Sequence, residues 1–188
     1  SFSEPFVSFC KEVGLKVSDD ISGKGSRIRF PREIVEKALK DAPNSFTMYG
    51  LDDKYQIKWG EKNAYNHTCV GTPFVIDPET GKRRNTSLTD LEDYIRLADA
   101  LPNTDIISCL TAQGIPEHAA NAVQVGAMVK NTTKPLRICI HDAKETEDVV
   151  NVLAAAVGSK EELVKKPIAY LEVSPISPME YADDPADA

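Results

Sequence analysis

The sequence predicts an α/β protein with parallel strands, preceded by a small α+β appendage, and three observations carry that expectation. From Ser87 onward, short apolar runs alternate with helix-length stretches at intervals of about thirty residues, the spacing of βαβ units. The stretch Lys134–Asp142 is the plainest strand. Pro135 opens it, Leu136, Ile138, Cys139 and Ile140 fill it, and the polar pair His141 and Asp142 ends it just before a helical pattern. Each predicted strand ends in this way on polar residues, as strands do when they deliver side chains to a site.

Composition narrows the function classes. The chain has 188 residues, 41% hydrophobic and 27% charged, enough for one sizeable core. A net charge of -7 without clustered Lys and Arg argues against nucleic-acid or anionic-membrane partners. No apolar run approaches the roughly 18 residues of a membrane span, and no secretory signal pattern is present, so a cytoplasmic location is expected. Cys10, Cys69, Cys109 and Cys139 are far apart with no CxxC spacing, which disfavours a zinc knuckle or a disulfide framework. Cys109 and Cys139 fall within strand-like runs and read as buried thiols.

The elements follow in order. Phe6, Phe9, Cys10 and Val13 give a first helix that Gly14 stops, and with no initial Met the true N-terminus is expected to lie upstream. Leu15–Val17 and Ile28–Phe30 read as a hairpin around Ser22–Ser26, a loop without the ending of a P-loop. Pro31 starts a short helix with Ile34, Val35, Ala38 and Leu39 on its apolar face. Phe46–Tyr49 and Tyr55–Trp59 form two strands around Gly50–Asp53, with Asn63–Val70 as a candidate third, and residues 1–65 make up the appendage. Pro73–Gly81 is an extended piece followed by a turn in which Gly81 suits positive φ.

In the second part, residues 66–188, Ser87 and Asp90 resemble a capping box for a helix with Leu91, Tyr94, Ile95, Ala98 and Leu101 on one face. Ile106–Leu110 is the next strand. Pro116 begins a helix expected to turn Ala119, Ala122, Val123, Gly126 and Val129 inward. After the Lys134–Asp142 strand, a helix from Thr146 shows Val149, Val150, Leu153 and Val157. Ile168–Val173 is the last strand, running into Ser174–Pro178.

Two architectures compete, a doubly wound sheet and a (β/α)8 barrel. The absence of a GxGxxG turn weakens a dinucleotide-binding version of the first, and a complete barrel needs about 250 residues, so a barrel would be about half present. In either case the strand ends offer His67 and Cys69, then Gln113, then His141 and Asp142, then Glu172, Ser174 and Ser177. Each has a plainer reading. Asp142 could cap the following helix and His141 could orient a loop. His67, His118 and His141 lack the HxH or HExxH spacing of a metal site. A Ser174–His141–Asp142 triad lacks the GxSxG elbow. Trp59, Tyr49, Tyr55 and Tyr65 could cage a cation, but their strand context favours packing.

Several segments in order carry a resemblance: Gly71–Arg84, Leu88–Asp93, Leu97–Asn103, Asn131–Pro135 and Val173–Pro178 resemble the trimethylamine methyltransferase family over the whole chain. The resemblance implies the barrel: a partial (β/α)8 TIM barrel, about its first half, behind the appendage. It implies transfer of a methyl group from trimethylamine or a quaternary amine such as glycine betaine to the Co(I) of a cognate corrinoid protein, in methanogenesis or methylamine metabolism. A member of the larger non-pyrrolysine group is expected, and the chain corresponds to an N-terminal portion. No cofactor is expected to bind directly, the cobalamin being carried by the partner, and no metal site is expected. A homo-oligomer is compatible with this. His67, Gln113, His141, Asp142 and Ser174 are the expected substrate-binding residues, with no catalytic role transferred to any of them. The alternatives are a barrel hydrolase or lyase using His141 and Asp142, and a noncatalytic small-molecule binding module.

Overall fold

A computed structural model of the chain describes residues 4–19 and 26–173. The chain forms two compact units. One holds the described residues up to Asn44 with His141–Ala143 and Val173; the other holds Ser45–Ile140 and Lys144–Glu172.

In the first unit, α1 (Glu4–Glu12) ends at Gly14, which adopts φ 84°. Strands β1 (Lys16–Asp19) and β2 (Ser26–Arg29) pair antiparallel, as the alternation predicts, while the loop with Ser22–Gly25 lies outside the described residues. The helix α2 (Arg32–Asp41) follows Pro31. Its apolar face does not become a core: no residue of α2 is buried, and Val35 and Leu39 stay 41% and 71% exposed. The periodicity fixes the helix, but burial needs a partner surface, and among the described residues only the half-buried Ile34 of this face finds one, beside Gly14.

The second unit holds the main core. Strands β3 (Phe46–Tyr49) and β4 (Gln56–Trp59) form an antiparallel hairpin. The sequence assigns this hairpin to the appendage; it lies in the compact unit that contains the parallel strands. Asn63–Val70 is not a third strand of the hairpin. It contributes a single parallel bridge, His67 to Ile106. Ile106–Leu110 likewise forms no continuous strand: Ile106 bridges back to His67, and Ile107 bridges forward to Leu136. The reason is visible at Ser108, whose N–H and C=O both bond the Thr68 hydroxyl (2.7 and 3.0 Å), so a side chain replaces the backbone ladder there. Strand β7 (Leu136–Cys139) then pairs in parallel with β8 (Ala169–Glu172).

The parallel neighbours are therefore 67, 106–107, β7 and β8, in chain order. Between them run α3 (Leu88–Ala100), α4 (Ala120–Asn131), and then α5 (Ala143–Val157) with α6 (Lys160–Lys165). Strands that advance in one direction through right-handed crossovers place all their helices on one face of the sheet. Alternation along β7 agrees: Leu136 and Ile138 are fully buried, while Arg137 and Cys139 are only partly so. Leu91, Ile95 and Ala98 of α3, Val125 and Met128 of α4, and Val149 and Leu153 of α5 supply the buried helical side.

The hairpin lies against the other end of these strands. Met48 and Ile57 cluster with Ile106, and Trp59 meets Tyr170 edge-on with ring centroids 6.0 Å apart. Tyr49 N–H donates to the Pro167 carbonyl just before β8, and Asp52 N–H to the Thr133 carbonyl just before β7. Trp59 also stacks on Phe46 and meets Tyr65, so the aromatic group is packing, as its strand context predicts. The N-terminal ends of the parallel strands are thus occupied, and the C-terminal ends are left for loops.

Candidate functional site

The loops at the strand C-termini are held by specific backbone bonds. Between the 67 bridge and α3 the chain makes a second hairpin, β5 (Phe74–Ile76) with β6 (Arg83–Asn85). Its turn is built by Asp77, whose Oδ1 accepts from the N–H groups of Glu79 and Thr80 and from the Thr80 hydroxyl, with Gly81 at φ 68°. Positive φ is a conformation glycine adopts without penalty, as the Pro-Glu-Thr-Gly pattern predicts. Arg84 ties the turn to α3: Nε donates to Asp77 Oδ2 at 3.0 Å, and Nη2 to Asp90 Oδ1 at 2.9 Å. Asp90 is the third residue of the Ser87 capping box, now seen with both reciprocal bonds.

Asp77 titrates at about 2, held low first by the Thr80 N–H and then by Arg84. A carboxyl whose pKa is depressed in the fold contributes stability above its ordinary value near 4 and loses it as pH falls through the folded value. Protection of the Gly81 amide, which donates to the Asp77 carbonyl, is expected to fall between about pH 4 and pH 2. Arg84→Met should already weaken it at neutral pH. Unchanged amide exchange in that variant would show that the arginine does not hold the hairpin.

The hairpin loop is joined to the neighbouring strand end. Gly71 N–H donates to Cys109 O, Thr111 N–H to Thr72 O, and Gln113 N–H to Thr86 O at 2.7 Å. Two buried amides of α4 complete the frame. Gln124 Oε1 accepts from Ala112 N–H at 2.7 Å, and Asn121 Nδ2 donates to Cys139 O at 2.8 Å.

These two residues explain why the expected inward face of α4 is wrong. The buried positions are Asn121, Gln124, Val125, Ala127 and Met128, and Val123 is 37% exposed. Choosing the face by hydrophobicity excludes Asn and Gln, yet here they satisfy backbone groups that burial cuts off from water. A polar residue at helical spacing beside Val125 and Met128 was the available signal.

The expected site residues are placed as follows. His67 is exposed, and its Nδ1 lies 2.9 Å from the Thr68 carbonyl, which leaves Nε2 as the outer ring nitrogen. Gln113 is exposed, with its side-chain amide donating to Thr111 O. His141 and Asp142 are exposed and group with the first compact unit. Ser174 and Ser177 lie outside the described residues. His118 is exposed in a single 3-10 turn. Among the described residues no three His, Cys, Asp or Glu side chains converge as a metal-binding group.

Sequence reasoning names Glu172 but misses its partner. Arg137 is bonded through both Nε and Nη2 to the Glu172 carboxylate, the second contact at 2.7 Å, with the two side chains 13% and 25% exposed. Glu172 raises the Arg137 pKa and burial opposes it. The register places Arg137 beside Tyr170 and Cys139 beside Glu172, all on the face that the helices leave uncovered. Burial pushes the Cys109 thiol up to about 11 and also raises Cys139, with Glu172 adding to the latter. All four cysteines are free, and these two are neutral thiols, poor nucleophiles.

A parallel α/β unit whose N-terminal strand ends are covered and whose C-terminal ends carry braced polar loops has the layout of an α/β ligand-binding or enzyme domain. The family model described as trimethylamine methyltransferase (MTTB) matches residues 4–188, and the chain belongs to that family. It is 28% identical over 180 residues to a glycine betaine methyltransferase of Desulfitobacterium hafniense (strain Y51), covering 95% of this chain and 36% of the relative. It is 25% identical over 181 residues to the trimethylamine methyltransferase MttB of D. hafniense (strain DSM 10664 / DCB-2), covering 89% and 36%. It is also 28% identical over 176 residues to that of Methanosarcina barkeri, covering 90% and 35%. The chain thus spans about a third of the length of these relatives. No helix among the described residues is long and apolar enough to cross a membrane.

Proposed function

We propose that this chain belongs to an enzyme that removes a methyl group from a methylated amine and passes it to the Co(I) of a corrinoid carried by a partner protein. The family match over residues 4–188 carries the reading. The relatives named for glycine betaine and trimethylamine support the substrate class. The architecture is about the first half of a (β/α)8 barrel. Four parallel neighbours in unbroken chain order support that, because a doubly wound sheet reverses its strand order while a barrel does not.

The reaction asks little proton transfer of the protein. The N–CH3 bond breaks, the amine keeps that electron pair, and the cobalt of the partner's corrinoid supplies the pair for the new bond. A quaternary ammonium, or trimethylamine entering as its protonated ammonium, leaves as a neutral amine, so rate comes from holding amine and acceptor in line and excluding water. Exposed His67 and Gln113 on braced loops suit that holding role better than acid–base work, and His141, Asp142 and Ser174 remain proposed substrate contacts. The enzyme acts with no cofactor of its own and no nucleic-acid partner, in the cytoplasm.

Incubating the full-length protein with a reduced corrinoid protein and candidate amines tests the proposal. Absorbance should report methylation of the corrinoid with at least one of trimethylamine and glycine betaine. No methylation with any methylated amine, using a corrinoid partner shown to be competent, overturns it.

A further inference from the structure

The bridged segment 106–107 and β7 separate toward their C-terminal ends. Ile107 N–H donates to Pro135 O and Arg137 N–H to Ile107 O, both at 2.9 Å, as in a parallel ladder. Extended by four residues, that ladder would have Thr111 N–H donate to Cys139 O. Both groups are diverted. Thr111 N–H donates to Thr72 O at 3.2 Å, and Cys139 O accepts from Asn121 Nδ2 at 2.8 Å. On its other side β7 stays paired to its end, with Ile140 N–H donating to Glu172 O.

Side-chain amides of α4 fill the opening. Ala112 N–H donates to Gln124 Oε1 at 2.7 Å, Gln124 Nε2 to Asn121 Oδ1 at 3.4 Å, and Asn121 Nδ2 to Cys139 O. The three bonds point one way, so each amide fixes the orientation of the next, and a single relay runs from one strand end to the other. Both side chains are buried, which keeps water from taking their place.

A continued ladder would satisfy Cys139 O without burying two polar side chains, each of which costs desolvation. The relay adds separation. It holds the two strand ends apart by the width of two amide groups, and it fixes the backbone that carries Gln113: Gln124 holds the Ala112 N–H, and Thr86 O holds that of Gln113.

We propose that Asn121 and Gln124 are positioning residues of the methyl-donor site, whose relay keeps the strand ends apart and sets Gln113 where a methylated amine is held in line with its acceptor. This rests on the methyl-transfer reading above. Both residues act through the backbone of 111–113 and of Cys139.

Two variants of the full-length protein test this. Gln124→Met keeps the volume and removes both of that residue's bonds, and Asn121→Leu does the same at the other end of the relay. Hydrogen exchange of the segment 110–114 should quicken in both, although Asn121 bonds nothing in that segment, while the Tyr49 and Asp52 amides at the opposite strand ends keep their protection. In methyl transfer kcat should fall about tenfold to a hundredfold and KM much less, because alignment of the bound reactants is what is lost. Gly50→Ala, whose added carbon meets the Thr133 carbonyl before β7, is the comparison. At an equal or larger loss of thermal stability it should keep its kcat. If Asn121→Leu does not fold, Asn121→Asp, the same shape with an acceptor in place of the donor, should show the same bias toward kcat. Unchanged exchange of 110–114 in the Asn121 variant, unchanged kcat in both variants, or an equal loss of kcat in Gly50→Ala overturns the proposal. Quickened exchange in both variants, beside a wild-type protein that transfers no methyl group, supports the relay and counts against the proposed function.

Discussion

Lys134→Met is expected to cost about 2–4 kcal/mol of stability, read as a lowered denaturation midpoint of the full-length protein. Lys134 is 2% exposed, yet it is a cation in the core. Its Nζ donates to Leu101 O at 2.7 Å and Ala98 O at 3.2 Å, two carbonyls at the C-terminal end of α3 that also accept weakly from Thr104 N–H and Leu101 N–H at 3.3 Å. A charge placed there also favours the helix dipole. Burial lowers the lysine pKa, with Asp99 and Asp105 pulling it partly back. Burial likewise opposes ionisation of Asp99, but bonds from the Thr132 hydroxyl and the Thr133 N–H, with Lys134 nearby, outweigh it and hold that carboxyl below its usual range. Methionine fills a similar volume but removes both charge-assisted bonds and leaves the Asp99 carboxylate without its nearby cation. A loss below about 0.5 kcal/mol would mean that water takes the place of the ammonium.

Gly50→Ala is expected to destabilise by about 2–3 kcal/mol through overpacking. A Cβ at Gly50 would stand 2.3 Å from the Thr133 carbonyl oxygen and 3.1 Å from that of Asp52. Both are backbone atoms, and neither can swing aside. The Thr133 carbonyl also accepts from Asp52 N–H, so relief of the clash has to move the β3–β4 turn away from the loop that leads into β7. Trp59, in contact with Tyr170, should report that movement as a change in fluorescence. Gly126→Ala is the control. Nothing lies within 4 Å of its added carbon, and in mid-helix the change should stabilise by about 0.5–1 kcal/mol. If both substitutions behave alike, close approach is not the reason for glycine at position 50. Both Lys134 and Gly50 act at the N-terminal ends of the strands, so their variants should lose stability without a change in substrate preference.

Much of the framework was legible because it is local. Periodicity and terminal residues place α3 with its capping box, α5, β7, β8 and the hairpin at 46–59. Gly81 and its turn follow from the conformational needs of four residues. Order along the chain suffices for the parallel arrangement, since each crossover has one favoured hand. The quoted segments also suffice for the family.

What the sequence could not settle depends on partners distant in the chain. The apolar stripe of α2 is a helix signal, but no residue of it is buried, because amphipathicity does not create the surface it would pack on. The face of α4 was misjudged because burial of Asn121 and Gln124 is licensed by the free backbone groups of Cys139 and Ala112, 18 and 12 residues away. The Arg137–Glu172 pair joins residues 35 apart that only a parallel register sets side by side. The sequence alone thus determined most of the helices, the paired strands β7 and β8, the order of these elements and the family, through forces acting within a turn or a strand. The tertiary structure decided which polar groups are buried and which are paired, since those depend on what other strands bring within hydrogen-bonding distance.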